Sequence, residues 1–188
     1  MTKHTIRIVG GTYRRTPIPV IASEGVRPTP DRVRETVFNW LTHLWAGDFH
    51  DKQVLDLFAG SGALGFESAS RGVAHVLMVE KDLGALAALR KMRDKLDAKT
   101  VRVHAGGAIA TLARMDASRF DLIFLDPPFN QDWLTRLWPM LPAVMAPNAL
   151  IYAESEAPLL APDGYEILRA GKAGSVHYHL LQFAALRK

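Results

Sequence analysis

From residue 54 onward, short apolar runs alternate with helical stretches, and this predicts an α/β fold built on a mainly parallel sheet. Two further observations complete the expectation. The last two apolar runs are separated only by residues 170–176, too few for a helical crossover, so they form an antiparallel hairpin at one end of a seven-stranded sheet. Two short strand-like runs also precede the body, which predicts a small N-terminal β-hairpin extension.

Taken in order, residues 6–21 read as two strands around Gly10-Gly11, with Arg14-Arg15 just beyond. Pro17 and Pro19 confine the second strand to an edge, because proline has no N–H for a ladder. Residues 22–30 form a linker. Thr29 is the expected N-cap of the first helix, with Pro30 at its first position and Asp31 in its first turn. Val33, Val37, Trp40, Leu41, Leu44 and Trp45 recur at helical spacing and give that helix a core face. Strands are expected at Val54–Phe58, His75–Glu80, Thr100–His104, Phe120–Asp126, Ala149–Ser155, Tyr165–Arg169 and His177–Ala184. Helices are expected near 63–71, 82–97, 107–116 and 131–145. The organisation is thus a basic hairpin and linker over 1–30, followed by one α/β domain over 31–188.

The size, 188 residues, suits one domain, and a 48% hydrophobic content is enough to bury its core. No run reaches the roughly 18 to 20 apolar residues of a membrane span. The first residues lack the apolar stretch and small-residue cleavage site of a secretory leader, so a cytoplasmic location without membrane attachment is expected. The absence of cysteine excludes disulfides, thiolate metal sites and thiol nucleophiles. Charge is unevenly placed. Residues 1–34 carry seven basic and two acidic side chains, whereas the whole chain has a net +4, so the remainder is slightly acidic. A basic segment on a near-neutral body suits a polyanionic partner, although a solvated basic tail has the same composition.

The first strand of the α/β body runs into Asp56-Leu57-Phe58-Ala59-Gly60-Ser61-Gly62-Ala63-Leu64-Gly65. Gly60, Gly62 and Gly65 fit G-x-G-x-x-G, and Glu80 follows Gly60 by twenty positions at the end of the next strand. That pattern alone also suits a nicotinamide cofactor. Asp56 argues otherwise, since dinucleotide enzymes usually hold an apolar residue there. A carboxylate in that position suits a cationic ligand, such as one with an amino-acid ammonium group.

The fourth strand, Phe120–Leu125, ends in Asp126-Pro127-Pro128-Phe129. Two prolines fix φ and remove two donors, which leaves a stiff turn whose carbonyls project. An exocyclic base amine is a weak nucleophile because its lone pair is delocalised into the ring. The Asp126 carboxylate and the Pro127 carbonyl, both accepting from that NH₂, would draw the nitrogen toward tetrahedral geometry and aim its lone pair at a sulfonium methyl. Phe129 offers a stacking face worth about 1–3 kcal/mol to a base flipped from its helix.

Together these two segments resemble the class I amino-methyltransferases that act on nucleic-acid bases. The resemblance extends to Arg7-Ile8-Val9-Gly10-Gly11, to Arg27-Pro28-Thr29-Pro30-Asp31-Arg32-Val33-Arg34-Glu35, to Tyr152-Ala153-Glu154-Ser155-Glu156 and to Lys172-Ala173-Gly174. Nearly the whole chain is then similar, in register, to the RsmD family of bacterial 16S rRNA guanine-N2 methyltransferases. The resemblance implies a Rossmann-like class I methyltransferase fold with S-adenosylmethionine as cofactor. It also implies 16S rRNA as partner, within the small ribosomal subunit or an assembly intermediate, for a monomer that needs no metal. Asp56, Phe58, Ala59, Gly60, Ser61, Gly62, Glu80, Lys81, Gly107, Ala108 and Asp126 would hold the cofactor, Glu80 through the ribose hydroxyls. Asp126, Pro127, Pro128 and Phe129 would be catalytic. Arg7, Gly10, Gly11, Arg14 and Arg15 would meet RNA phosphates, and Arg27, Thr29, Arg32 and Arg34 would line the mouth of the site. The sequence departs from the family at Gly106-Gly107-Ala108, where relatives place an Asp or Asn against the adenine ring; the Ala108 N–H is the contact that remains.

Other readings compete. Adenine-N6 or cytosine-N4 methylation of DNA or RNA would use the same turn, but residues 1–30 leave little for a separate DNA target domain. A nicotinamide oxidoreductase conflicts with Asp56 and the double proline, and a non-catalytic RNA-binding assembly factor would have no use for Asp126 and Phe129. His177 and His179 share a strand face but have no third ligand nearby, so they read as ordinary strand residues. Ser61 does not lie in the G-x-S-x-G setting of a nucleophile, the four tryptophans read as packing, and Arg14-Arg15 could equally guard a strand edge.

Overall fold

The computed structural model describes residues 5–20, 29–115, 119–129 and 131–183. Its elements are β1 (Thr5–Arg7), β2 (Pro17–Pro19), α1 (Asp31–Leu44), β3 (Gln53–Asp56), α2 (Ala63–Ser70), β4 (His75–Glu80), α3 (Leu83–Lys95), β5 (Val101–Ala105), α4 (Ala108–Leu112), β6 (Phe120–Leu125), α5 (Trp133–Leu137), a 3₁₀ turn (Trp138–Val144), β7 (Met145–Ser155), β8 (Tyr165–Ala173) and β9 (Val176–Phe183). β1 and β2 pair as a separate antiparallel hairpin. The other seven strands form one sheet in the order β5-β4-β3-β6-β7-β9-β8. The β5-to-β7 stretch is parallel, and β9 and β8 are antiparallel at the far edge. This is the α/β architecture expected from the sequence, including both hairpins.

Alternation along the strands divides the core into two layers. Val54, Val76, Met78, Leu122, Phe124, Tyr152 and Leu180 face one side, with Val33, Val37, Phe38 and Leu41 of α1 and residues of α2 and α3 packed over them. Leu55, Leu57, Val79, Ile123, Leu125, Ile151 and Leu181 face the other, under Leu112, Leu137, Leu141 and Val144. Helices on both faces bury the central strands, which is why β3 and β6 read as continuous apolar runs. Ile6, Ile8 and Ile18 of the N-terminal hairpin join the first layer, so hairpin and body share a core.

Three local expectations are corrected. The stretch expected as one helix near 131–145 is α5 followed by a 3₁₀ turn, because Pro139 and Pro142 lack the N–H groups an α-helix would use. The expected Thr29 cap does not form: Pro30 is the N-cap residue, without a side-chain cap bond, and the Thr29 hydroxyl is committed elsewhere. Arg14 and Arg15 are not on a strand edge but in the turn between β1 and β2, with Arg15 at φ +69°. The tryptophans do pack: Trp40 stacks on Tyr178 and Trp133 meets Phe58 edge-on. Among the described residues no helix is long and apolar enough to cross a membrane.

Candidate active site at the strand ends

The chain builds outward from β3 to β4 and β5, then returns to place β6 on the other side of β3. The strand order reverses between β3 and β6, and crevices at the carboxyl ends of strands open at such a point. Both motifs singled out in the sequence lie there, the glycine loop after β3 and the double-proline turn after β6.

The glycine loop is held by backbone and carboxylate bonds. Ala59 N–H donates to the Val79 carbonyl at 3.0 Å and Gly62 N–H to the Ala59 carbonyl at 2.7 Å. Gly60 (φ +52°) and Gly62 (φ +82°) both occupy left-handed conformations that favour glycine. A Cβ on Gly62 would lie 2.6 Å from Leu89 and Phe66, whereas one on Gly60 would meet nothing nearer than the Phe58 carbonyl at 3.9 Å. Gly62 is therefore required by packing, and Gly60 presents open backbone to the crevice. Glu80 binds both walls: its Oε2 accepts from Gly60 N–H at 2.8 Å, and its Oε1 accepts from Lys81 and Asp82 N–H. Gly106 N–H donates to the Glu80 carbonyl, bringing the Gly106-Gly107 turn alongside, and a Cβ on Gly107 would meet no atom within 4 Å. Ala108 is buried at the start of α4.

Asp56 is 2% exposed. The Phe58 and Gly65 backbone amides favour its charged form, but Oδ2 is buried with no partner. Burial pushes its pKa up to about 7, with the Glu80 charge adding to the rise. A buried carboxylate oxygen without a donor is costly, so the site is one that a cationic donor completes.

Across the crevice, Pro127 is buried, while Asp126, Pro128 and Phe129 keep partial exposure. Asp126 has a neighbour not anticipated as a site residue. β6 and β7 run parallel with Phe124 opposite Tyr152 and Leu125 opposite Ala153; one step further sets Asp126 beside Glu154. Glu154 is 5% exposed. Its Oε1 accepts from Tyr152 O–H at 2.7 Å and Thr29 O–H at 2.9 Å, and Thr29 also reaches Asp126 Oδ2 at 3.4 Å. The Asp126 pKa is raised well above the usual carboxylate range, first by burial, then by the charges of Glu154 and Asp56. That of Glu154 is also raised by burial, against the hydrogen bonds that favour its charged form. The signal was present in strand parity: Leu122, Phe124 and Asp126 alternate on one face of β6, as do Tyr152 and Glu154 on β7.

The expectations for RNA contact and for the mouth of the site divide. Arg7, Arg14, Arg15 and Arg32 are exposed, as is Lys81 beside the crevice, and Ser61 is half-buried in the glycine loop. Arg34 is corrected. It is completely buried, paired with Asp31 and 3.8 Å from Glu67, and so lines no opening. Gly10 and Gly11 are corrected as well. Gly10 N–H is spent on Glu67 at 2.9 Å, and a Cβ on Gly11 would fall inside the Ser70 carbonyl, so both dock the hairpin onto α2. Thr29, expected at the mouth, is 4% exposed within the carboxyl cluster. Arg27 lies outside the described residues. His179 is buried and its Nε2 accepts from Leu159 N–H at 3.2 Å. A cavity of about 310 Å³ between β4, β5 and α4, lined by His104, Gly106, Thr111 and Arg114 among others, touches neither Asp56 nor Asp126 but adjoins the Gly106-Gly107 turn.

Comparison with known proteins agrees with this geometry. The family described as Conserved hypothetical protein 95 matches residues 6–182. Ribosomal RNA small subunit methyltransferase D of Haemophilus influenzae is 37% identical over 187 residues, 96% of this chain and 95% of its own length. The chain belongs to the RsmD family. The Escherichia coli protein of the same name is 40% identical, over 94% of this chain and 89% of its own. The solved yhhF chain of Escherichia coli matches the RsmD-family fold seen here with a TM-score of 0.84 at 40% identity, covering 97% of this chain and 99% of that one. The family and fold expected from the sequence are both borne out.

Proposed function

We propose that this chain transfers a methyl group from S-adenosylmethionine to the N2 amine of a guanine in 16S rRNA, on the small subunit or an assembly particle in the cytoplasm. The observation that carries the reading is the juxtaposition, on adjacent strands β3 and β6, of an open glycine loop with an unpartnered buried carboxylate and a rigid Asp-Pro-Pro-Phe turn. The names of the 37–40% identical relatives support ribosomal RNA as the substrate class.

The residues present fit the cofactor. The free Asp56 Oδ2 would receive its ammonium group, Glu80 would turn toward its ribose hydroxyls, and the open sides of Gly60 and Gly107 would admit its sugar and adenine, with the Ala108 N–H as a polar contact. Phe58, which rests edge-on against Trp133, and Ala59, Ser61, Gly62 and Lys81 would complete the walls. When bound, S-adenosylmethionine supplies an electrophilic methyl on a sulfonium centre. Asp126 and the Pro127 carbonyl would accept the two amine hydrogens and orient the lone pair, while Pro128 stiffens the turn and Phe129 stacks on the flipped base. Arg7, Arg14 and Arg15 would hold phosphates without reading sequence, and Arg32 would line the mouth of the site.

Labelled methyl transfer to 30S particles, free 16S rRNA and DNA, followed by mass spectrometry of the modified nucleoside, tests this. N2-methylguanosine in the particle is the expected product. Labelling of DNA alone, or binding of NADH with no response to S-adenosylmethionine, would refute it.

A further inference from the structure

Asp126 and Glu154 stand side by side at the ends of β6 and β7, with the Thr29 hydroxyl reaching both. Glu154 is enclosed more than positioning of a strand end requires. Two hydroxyls from different elements, Tyr152 on β7 and Thr29 ahead of α1, converge on its Oε1. A row of aromatic rings walls this face of the sheet, with Phe124 against Tyr152 and Tyr152 against Tyr178. Two ionised carboxylates in contact in such a setting repel strongly, and one proton shared between them relieves the repulsion.

We propose that Asp126 and Glu154 act as one carboxyl pair holding a single proton, so that Glu154 is the positioning residue that keeps Asp126 an acceptor toward the base amine and takes up the proton the amine sheds. The proposal rests on the methyl-transfer reading given above and deepens it.

Methyl transfer to an amine forms a C–N bond, breaks a C–S bond, leaves a neutral thioether and gives the nitrogen one proton in excess. That nitrogen is already hydrogen-bonded to Asp126, so its N–H bond breaks toward the pair, which passes from one proton to two. Asp126 keeps partial exposure and Glu154 does not, so the pair returns one proton to water through Asp126 as the product leaves. Burial raises the pKa of both carboxyls, and the Glu154 charge adds to the rise at Asp126, which agrees with a pair that keeps a proton above the ordinary carboxylate range. The groups facing it are Asp56 from the end of β3, which adds negative charge to Asp126, and the hydroxyls of Thr29, Tyr152 and, beyond them, Tyr178 of β9.

Carboxyl-carbon NMR titration of the full chain, labelled at Asp and Glu, tests the pair independently of turnover. In the wild-type protein Asp126 and Glu154 should titrate as coupled steps above the ordinary carboxylate range. Glu154→Gln removes a like charge and should lower the Asp126 midpoint by about one pH unit or more. Tyr152→Phe removes a hydrogen bond to the charged Glu154 and should raise the Glu154 midpoint, a shift of opposite sign that loosened packing would not produce. If Glu154→Gln does not fold, Tyr152→Phe and Thr29→Val carry the same upward prediction. The acid limb of kcat/KM on 30S particles should follow the NMR midpoints in each variant. An Asp126 midpoint that Glu154→Gln leaves unmoved, or Glu154 midpoints unmoved in the hydroxyl variants, would overturn the proposal even if methyl transfer is normal. Absence of methyl transfer by the wild type, with coupled titration intact, would instead remove the functional reading and keep the pair.

Discussion

Glu67 Oε2 accepts the Val9 N–H at 2.7 Å, joining a fully buried helix carboxylate to a hairpin residue 58 positions upstream. The same carboxylate binds Gly10 N–H and Arg71, and lies 3.8 Å from the buried Arg34. Ser70, at the end of α2, donates to the Gly10 carbonyl and accepts from Tyr13 N–H at 2.8 Å. Glu67→Ala would leave the buried Arg34 guanidinium with Asp31 alone and remove the acceptor of Val9, Gly10 and Arg71, and a loss of about 3–5 kcal/mol is expected. Guanidinium denaturation monitored by tryptophan fluorescence measures it. A loss below 1 kcal/mol would show the network to be incidental.

Gly62→Ala and Gly60→Ala should part ways. At Gly62 the added methyl collides with Leu89 and Phe66 in a left-handed backbone, so instability of about 1–3 kcal/mol is expected. At Gly60 only the backbone conformation resists, while the methyl projects into the crevice. Its thermal midpoint should fall less, and its affinity for S-adenosylhomocysteine should drop at least tenfold by calorimetry.

Asp56 makes ligand-free stability depend on pH. Its folded pKa of about 7 lies above the ordinary aspartate value of 3.8, so folding favours the protonated form. The stabilisation is complete below about pH 4 and is lost as pH rises through 7, about 4 kcal/mol over that window. Asp126 and Glu154 add to the slope with the same sign. Asp56→Asn should flatten it. Binding of S-adenosylmethionine near pH 7 should release protons, seen as a binding heat that varies with buffer ionisation enthalpy. A wild-type stability that rises steadily from pH 4 to 7 would contradict this account.

Arg14 and Arg15 are exposed at the tip of the hairpin, and replacing both with alanine should weaken RNA binding while reducing the salt slope of log affinity by up to about two. Affinity for S-adenosylhomocysteine should be unchanged. An unaltered salt slope would remove the hairpin from the RNA interface.

What the sequence made legible was what a single strand or loop carries. The alternation of Leu122, Ile123, Phe124 and Leu125 located β6, and Asp126-Pro127-Pro128 announced its end. What it hid depended on two elements meeting. Thr29 looked like a helix cap because Pro30 and Asp31 follow it, but its hydroxyl instead meets Glu154, 125 positions away. Arg34 is expected by resemblance at the mouth of the site, yet helical spacing turns it inward to Glu67. Glu154 lies in a segment that resembles the family, but only the β6–β7 register puts it beside Asp126.

Helix α2 begins at the Gly62 end of the glycine loop and finishes at Ser70, where the hairpin is fastened. Its eight residues form a strut of about 12 Å. Under the proposed function, the same strut carries the RNA grip at one end and the methyl donor's cradle at the other. Selection of the target base then becomes a matter of surveying: the enzyme measures a fixed offset from a docked phosphate backbone, and a guanine at the wrong offset is missed whatever its neighbours.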